Sequence, residues 1–518
     1  MSFSRLATLL CQHLDMTRHH GEQEAIYSLD TFDWRLYNKG LAFEVVCHAG
    51  MVRQRLRKLH STQVICQFES KDIVHFYWDL TPGFLRDTLT QILGVRALVP
   101  KLHLTVKRLP LVKTNSDMKT VLRILLHEYQ RQNHESNRLL RLQKRIELRL
   151  IKGYEEPFHQ AARYLEQELH FEKTGDDILV TGLNATGVQP TRYSVKVKFE
   201  LLADTPAITG MKACLLQMLK IMRVNEAGIK DDIDSEFLHD YRVAVRMTRS
   251  ALQQIKGVFP LRSVISWQKH FHWIASQTSL QRDLDVYLLN FADYRNMLPD
   301  DLYEDLEPLH RLLEKKKKSA HQAVVHMLQG KRYQNFMSDF QKFLSEPDSI
   351  SNVLINAQKP IKKVADQRIW KIYKRALKQG NSINNESPAD QLHELRKTCK
   401  KLRYLMELFG SLYDSETHST LVDVLKNLQD NLGNYNDLHI HAEKLKEFSV
   451  ELQGLQLIHD GTSKAIAFLV KHFEDNQIEE RRRFDKSFSK LSEKKIKGLF
   501  QQLFKPTQAS GQAIEIVS

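Results

Sequence analysis

A chain of 518 residues exceeds what one hydrophobic core holds, so the sequence predicts two or three domains. Five scattered cysteines argue against a disulfide framework or a structural zinc site, and no apolar run approaches the roughly 18 residues that cross a bilayer, so we expect a cytoplasmic protein without a membrane span. The net charge of +14 favours a polyanionic partner, although charge alone does not say which one.

Residues 1–204 mix short β-like runs with helical stretches, and glycines divide the second part of this region. Strands are predicted at Val64–Phe68, His103–Val106, Arg145–Leu150 and Tyr193–Leu201. Helices are predicted at Met118–Gln130 and Glu156–Leu169. We therefore expect a mixed, β-rich amino-terminal domain.

Two segments of this domain resemble the CYTH (triphosphate tunnel) family. Tyr27–Phe43 carries an aspartate-threonine pair and an R-L dipeptide ahead of a strand, and Arg145–Tyr154 is similar to the family's later charged strand and glycine-aromatic turn. The family opens with E-x-E-x-K, whose acids hold a divalent metal and whose lysine holds phosphate. We expect no counterpart of that motif before Tyr27, and the strand after Gly40 reads L-A-F-E-V-V where the family has arginines. The resemblance therefore implies a tunnel-like domain, and these departures from the family pattern argue against metal binding and hydrolysis.

Charged residues alternate along the later strands of this domain. They are Arg145, Glu147 and Arg149, followed by Lys196 and Lys198. Alternate residues of a strand share one face. These side chains either line a tunnel or form the polar side of a half-exposed sheet, and the sequence leaves both interpretations open.

From about Pro206 onward the hydrophobic pattern becomes helical. Besides the two helices treated next, helices are predicted at Met211–Val224, Trp267–Ser276, Asp300–His321, Lys331–Leu344, Ile361–Leu377, Leu421–Leu432, Asp437–Leu452 and Ser463–Asp475. The polar segment Asn381–Ser387 separates this region into two halves.

A duplication relates the two halves. Glu236–Arg249, E-F-L-H-D-Y-R-V-A-V-R-M-T-R, returns as Asp390–Arg403, D-Q-L-H-E-L-R-K-T-C-K-K-L-R, at a constant offset of 393 − 239 = 154. The same offset maps Arg282-Asp283-Leu284 onto Asn436-Asp437-Leu438. An internal repeat is therefore predicted, over about 207–380 and 387–505.

Each copy of the repeated segment reads as a helix with two adjacent stripes. The apolar stripe has the three-and-four spacing of a buried seam, at Leu238, Tyr241, Val245, Thr248, Leu252, Ile255 and Phe259, and at Leu392, Leu395, Cys399, Leu402, Met406 and Phe409. One position further on, the basic stripe comprises His239, Arg242, Arg246 and Arg249, and in the second copy His393, Arg396, Lys400 and Arg403. Cations beside a buried seam line the edge of a helix–helix contact, so two such helices are expected to form a basic cleft. The alternative, an ordinary solvated face, stays open.

The helical region resembles the CHAD (conserved histidine α-helical domain) family through four motifs in order: H-D-Y-R-V-A-V-R-M-T-R, L-Q-R-D-L-D-V-Y, L-H-E-L-R-K-T-C-K-K-L-R-Y and N-L-G-N-Y-N-D-L. The resemblance implies two pseudo-symmetric four-helix halves around a basic cavity that binds inorganic polyphosphate. Arginine suits this ligand because its guanidinium donates two parallel hydrogen bonds to a phosphate and stays charged. The implied binding residues are His239, Arg242, Arg246, Arg249, His393, Arg396, Lys400, Lys401 and Arg403.

Some residues near these stripes have competing interpretations. His239 and His393 have two interpretations: each binds phosphate when protonated, or each is a neutral side chain hydrogen-bonded to a neighbouring helix. Asp283 and Asp437 are expected to orient stripe arginines across the cleft, and no catalytic pair is predicted. A tunnel domain ahead of a CHAD domain is a recurrent arrangement in bacteria, so the resemblance implies a bacterial protein. The implied binding of polyphosphate further suggests an association with polyphosphate granules.

We therefore predict an α+β chain: a β-rich, tunnel-like domain at 1–204 and an all-α domain of two pseudo-symmetric four-helix halves at 205–518. The leading function is polyphosphate binding, with no metal or other cofactor. The main alternative is a triphosphatase of the CYTH type that uses magnesium or manganese in the amino-terminal domain. A nucleic-acid partner, suggested by charge, would require stacking aromatics beside the basic face.

Overall fold

The computed structural model describes residues 2–61, 63–132, 139–190, 193, 199–347, 354–384 and 386–506. The chain divides into two compact units, Met1–Ser194 and Val195–Ser518. No helix in the described part of the chain combines the length and the apolar character that a membrane crossing requires. The five cysteines are free thiols, and Cys214 and Cys399 are buried.

The first unit is built on an antiparallel sheet. Its strands are β1 (Thr17–Arg18), β2 (Glu22–Asp30), β3 (Leu41–His48), β4 (Met51–Lys58), β5 (Val64–Glu69), β6 (Val99–Thr114), β7 (Thr120–Gln132) and β8 (Leu139–Arg149). The α-helices in the described part of this unit are α1 (Phe3–Leu14), α2 (Phe84–Leu93), α3 (Glu155–Arg163) and α4 (Ile178–Thr186). The strand order is β5-β4-β3-β2-β6-β7-β8, and β1 pairs with β6.

Local chemistry explains the turns of this sheet. Ala49 and Gly50 both have positive φ, 46° and 81°, and they join β3 to β4 in a two-residue turn whose twist matches that of the strands. The Asp30 carboxylate accepts hydrogen bonds from the backbone N–H groups of Thr31, Leu36 and Tyr37, at 2.7, 3.0 and 2.9 Å. The aspartate-threonine pair of the sequence therefore stabilises the loop between β2 and β3.

The helix predicted at Met118–Gln130 is wrong, because this segment forms β7. It pairs with β6 on one side and with β8 on the other. Leu122 and Ile124 are buried against α1, and on the opposite face Leu125 and His127 are buried beside a cavity. A strand covered on both faces loses its alternating pattern, and its leucine-rich sequence then resembles a helix. The strands at Val64–Phe68, His103–Val106 and Arg145–Leu150 are confirmed, whereas most of Tyr193–Leu201, with Lys196 and Lys198, lies outside the described residues.

The second unit is helical. The first half contains α5 (Ala207–Lys230), α6 (Ser235–Gln254), α7 (Leu261–Gln277), α8 (Ser279–Leu289), α9 (Phe291–Asn296), α10 (Glu307–Gln329) and α11 (Lys331–Ser345). The second half contains α12 (Ile361–Asn381), α13 (Ala389–Phe409), α14 (Ser415–Gly454), α15 (Asp460–Arg482), α16 (Phe484–Ser492) and α17 (Lys494–Phe504).

The duplication is visible in the helix boundaries. The first residues of α5, α6 and α7 lie 154 positions before those of α12, α13 and α14, since 361 − 207, 389 − 235 and 415 − 261 all equal 154. Pro206 and Pro360 form an antiparallel bridge, in which the N–H of Ala207 donates to the carbonyl of Lys359 at 2.9 Å and that of Ile361 to the carbonyl of Thr205 at 2.8 Å. These two bonds join equivalent residues of the two halves, as expected at a pseudo-twofold axis.

In the described part of the chain, each half has four helical segments of 20 residues or more, if α7 and α8, which together correspond to the first part of α14, are taken as one. The first copy breaks at Thr278, whereas α14 continues without interruption through Leu432 and Gly433, so the two helices predicted at Leu421–Leu432 and Asp437–Leu452 are one. Buried side chains of α8 and α10 pack with those of α14 and α15 in a single core. The overall fold class is therefore α+β, as predicted.

Candidate basic cleft in the helical unit

The two repeated helices, α6 and α13, bury the predicted seam. Every seam residue of both copies is buried, including Tyr241 and Leu402, which are less than 2% exposed. Asp234 caps α6 by accepting from the N–H groups of Glu236 and Phe237 at 2.9 and 3.3 Å. The apolar stripe fixes the rotation of each helix, so the neighbouring basic stripe lies along the boundary of the packed core.

A cavity of about 500 Å³ opens between α6, α7 and α13. Both copies of the repeat contribute to it: Arg246 and Arg249 come from α6, and Lys400 and Lys401 from α13. The full lining is Arg246, Arg249, Ser250, Gln253, Ile265, Gln268, Lys269, His272, Lys397, Lys400, Lys401 and Tyr404. We call this cavity the basic cleft.

The charge of the basic cleft is one-signed. Six arginines and lysines line it, and none of the described residues in its wall is acidic. Burial, together with the charges of Arg396 and Arg246, lowers the pKa of Lys400 to about 8. Burial and the nearby charge of Arg375 also lower the pKa of Lys401. Glu394 lies outside the wall and pairs with Lys397 at 2.9 Å, and the charges of Glu394 and Asp437 oppose the lowered pKa values of Lys401 and Lys400 in part. The cations still repel one another, and a bound anion would relieve that repulsion.

Comparison with known proteins agrees with this geometry. Residues 213–446 match the CHAD domain family. The chain contains a CHAD domain. The match spans both basic stripes and the loops that follow them.

Two solved structures are similar to part of the chain. One is the crystal structure of the CHAD domain from the plant Ricinus communis, with 23% identity over 56% of this chain and 93% of that one, at a TM-score of 0.47. The other is PptA from Streptomyces chartreusis, with 15% identity over 55% of this chain and 100% of that one, at a TM-score of 0.42. No curated protein matches the chain.

The other stripe residues of the first CHAD half have structural bonds. Arg242 donates to the Thr278 hydroxyl at 2.7 Å and to the Ala275 carbonyl at 2.9 Å, which ties α6 to the end of α7. Burial and the charge of Arg246 lower its pKa to about 10, so it remains charged at neutral pH. Arg249 contacts His272 of α7, at 3.2 Å from Nη2 to Nδ1. His239 is half-buried on the same helix.

The second CHAD half uses its outer stripe residues in a similar way. His393 Nδ1 lies 2.9 Å from the Asn436 side-chain oxygen, and Arg396 forms an ion pair with Asp437 at 3.1 Å. Arg403 pairs with Glu407 one turn along α13, at 3.3 Å. Neither histidine lies among the residues that line the basic cleft. The structure therefore brings Arg246, Arg249, Lys400 and Lys401 together around the cleft and places the other five predicted residues outside its lining.

The acids of the repeated loops lie close to the stripes. Asp437 contacts Arg396 directly, as the sequence interpretation expected of that acid. Burial raises the pKa of Asp283, against the charge of Arg242 nearby. Arg282 belongs to the α6 contact as well, since it donates to the Ser235 carbonyl at 3.4 Å and lies 3.9 Å from Glu236.

Sequence reasoning missed three polar residues of the basic cleft. Lys269 and His272 come from α7, and Lys397 lies on α13 beside the stripe. Lys397 follows Arg396 within the repeated motif, so the motif itself contained that signal. No repeat pattern marks Lys269 or His272, because the corresponding residues in the second half are Asp423 and Lys426.

The amino-terminal unit contains a separate cavity of about 750 Å³ lined by one face of its sheet. Six arginines and six carboxylates are among its lining residues. Many of these charges neutralise each other: Glu44 pairs with Arg55 and Arg57 at 2.6 and 2.7 Å, and Arg57 also pairs with Asp177 at 2.6 Å. The predicted charged strand does face this cavity, with Arg145, Glu147 and Arg149 in its lining.

One expectation about this unit is wrong. An E-x-E pair does precede Tyr27, as Glu22 and Glu24 of β2, and only the following lysine is absent because position 26 is isoleucine. Glu22, Glu24 and His48 each offer a ligand atom within 4.8 Å of the others. Because Ile26 stands where the complete motif has its lysine, the motif as a whole does not mark this pair in the sequence.

These three residues fit a divalent cation only in part. Two carboxylates suit a hard ion such as magnesium, whereas an imidazole favours softer metals. Glu24 also forms an ion pair with Arg108, and His48 Nδ1 lies 3.3 Å from the Gln23 carbonyl. A bound metal would therefore compete with existing partners of two of the three groups.

Proposed function

We propose that this protein binds inorganic polyphosphate in the basic cleft of its CHAD domain. The observation that carries the proposal is the lining of the cleft, where six arginines and lysines from both halves meet without an acidic residue among the described ones. CHAD domains are linked to polyphosphate, which has the repeated negative charge that such a surface needs. Guanidinium and ammonium groups bind phosphate oxygens through charge-assisted hydrogen bonds.

Nucleic acid is less well supported as the polyanion. Single-stranded nucleic acid binds where aromatic rings stack on its bases beside a positive groove. Tyr404 is the aromatic residue among the described residues of the cleft wall, and Tyr373, which the sequence places among cations of α12, is buried against Phe500. The cleft therefore suits a ligand that carries charge without bases.

The experiment is a titration of the full-length protein with polyphosphate of defined length and, separately, with single-stranded DNA. Calorimetry should give saturable binding of polyphosphate and weaker binding of DNA at the same ionic strength. Binding of the two polymers with equal affinity per charge would contradict the proposal and indicate a nonspecific basic surface.

A triphosphatase in the amino-terminal unit is the second candidate, favoured by the Glu22, Glu24 and His48 cluster beside the 750 Å³ cavity. Its balanced charges and Ile26 argue for weak activity, since a triphosphate needs an excess of cations and a bound metal supplies the electrophile. We expect little release of phosphate from tripolyphosphate with magnesium or manganese. Rapid metal-dependent release that is lost in Glu22→Gln would make this unit an enzyme.

A further inference from the structure

The basic cleft does not follow the symmetry of the repeat. Its third wall is α7, which contributes Gln268, Lys269 and His272. The residues 154 positions later are Val422, Asp423 and Lys426 on α14, and none of them is among the described lining residues. A lysine in one half thus corresponds to an aspartate in the other.

The equivalent arginines also have opposite surroundings. Arg249 lies against His272, which carries no negative charge, at 3.2 Å. Its counterpart Arg403 lies against Glu407 at 3.3 Å, and Glu407 replaces Gln253, which lines the cleft. A carboxylate therefore partly neutralises the positive charge of Arg403, whereas the Arg249 contact with His272 leaves the charge of Arg249 in place.

The contact of Arg249 also orients His272. An arginine only donates hydrogen bonds, so the Nδ1 atom of His272 acts as the acceptor. The proton of the neutral imidazole is then on Nε2, which leaves His272 a hydrogen-bond donor even when it carries no charge. His272 is exposed and lines the cleft, so this donor is available to an anion.

The second half supplies its cations from different positions. Lys397 and Lys401 line the cleft, whereas the corresponding residues of the first half are Val243 and Met247. Met247 is buried in the core. The cleft thus combines α6 and α7 of one half with α13 of the other, and the symmetry-related combination would contain Glu407, Asp423, Val243 and Met247.

We propose that polyphosphate is bound on one side only of the pseudo-twofold axis, and that Lys269 and His272 of α7 are binding residues that determine this side. The inference rests on the proposed function of the same cleft. Among the described lining residues, a phosphate chain on the α7 side meets cations and neutral donors, with Glu394 outside the lining and paired with Lys397. The equivalent lining on the α14 side would contain two carboxylates, Glu407 and Asp423. Repulsion by those carboxylates makes the second side unfavourable for a polyanion.

The test compares two substitutions that make the same change at equivalent regions of the two halves. Lys269→Gln and Lys426→Gln each remove one exposed lysine, the first from α7 and the second from α14, and neither residue is buried. Calorimetry with sodium polyphosphate should show at least about tenfold weaker binding for Lys269→Gln, as for loss of a charge-assisted hydrogen bond, and less than about twofold change for Lys426→Gln. His272→Gln should weaken binding about threefold through loss of one neutral donor.

Lys400→Gln separates the two possible failures. If it weakens binding while Lys269→Gln stays within twofold of wild type, the cleft is the site but α7 is not its third wall, and the inference is overturned while the proposed function stands. Equal losses from Lys269→Gln and Lys426→Gln would show a two-sided site and overturn it as well. If the wild-type protein does not bind polyphosphate, both the proposed function and this inference are wrong.

Discussion

Arg246 and Lys400 occupy the same position in the two copies of the repeat, 154 residues apart, and they line the same cavity. The charge of Arg246 is one cause of the lowered pKa of Lys400, after burial and the charge of Arg396. The duplication has therefore placed two cations close enough for the charge of Arg246 to disfavour the protonated form of Lys400. Perturbed pKa values cluster at functional sites, and the repulsion between two cations favours an anion bound between them.

Replacing either residue should weaken polyphosphate binding and leave the fold intact. We expect Arg246→Gln and Lys400→Gln each to reduce affinity by about tenfold, because each removes a charged donor to phosphate. Lys315→Gln is the matched control, since Lys315 is exposed on α10 and does not line the cleft. Calorimetry measures the affinities and circular dichroism the fold. Unchanged binding in both cleft variants would place the ligand elsewhere.

The lowered pKa of Lys400 predicts how binding depends on pH. In the free protein Lys400 loses its proton near pH 8, whereas a bound phosphate chain raises its pKa again. Affinity should therefore be full below pH 8, fall as the pH rises through 8 and level off once the pKa of the bound state is passed. The fall is at most tenfold per pH unit for one such proton. Lys400→Arg should bind without this decline between pH 7.5 and 9, because arginine stays charged there. An identical decline in that variant would assign the titration to another group.

The seam and the stripes were predictable because both depend on local sequence. A helix buries one face, and that face recurs every three or four residues, so Leu238 and Tyr241 identified the buried side of α6 without reference to the rest of the chain. The repeat then identified α13 as its partner. That pairing placed Arg246 and Lys400 at one cleft.

Other parts of the structure depend on partners that are distant in sequence. β7 is a strand because β6 and β8 pair with it, although its leucines also suit a helix. Lys269 joins the cleft because α7 packs beside α6, and nothing in the periodicity of α7 marks that residue. Asp177 lies 120 residues from Arg57, and no local pattern predicts that ion pair.

That ion pair should control the local stability of the amino-terminal unit. Asp177 accepts two hydrogen bonds from Arg57, at 2.6 and 2.8 Å, and one from the N–H of Leu179 at the start of α4. Asp177→Asn leaves the buried Arg57 without its full partner, which should cost about 3 kcal/mol in the free energy of local opening. Hydrogen exchange of amides in β4 and α4 should become about 100-fold faster.

The neighbouring Asp176→Asn is the control for this substitution, because Asp176 is exposed and its side chain makes no ion pair with Arg57 among the described residues. Although burial opposes it, the hydrogen bond from Arg57 lowers the pKa of Asp177. The stabilisation is therefore present above the ordinary pKa of a carboxyl group and is lost as the pH falls through the lowered value. Equal exchange rates in the two variants at neutral pH would show that the ion pair contributes nothing measurable.

Affinity should rise with the length of the phosphate chain and then level off once the basic cleft is filled. The lining runs from Arg246 to Gln253 on α6 and from Lys397 to Tyr404 on α13, which is about 10 Å of helix rise on each wall, so ATP or tripolyphosphate meets only part of the surface. A longer chain reaches the cations of both halves without a second entropic cost of association.

Binding should also weaken steeply as the salt concentration rises, because cations of the protein replace the counterions along the phosphate chain. Arg246→Gln removes one such cation and should reduce the slope of log affinity against log salt by about 1. Calorimetry over a series of chain lengths at two salt concentrations measures both effects, with Lys315→Gln again as the control. Equal molar affinity for ATP and for long polyphosphate, or a salt slope unchanged by Arg246→Gln, would mean that the two halves do not share one binding site.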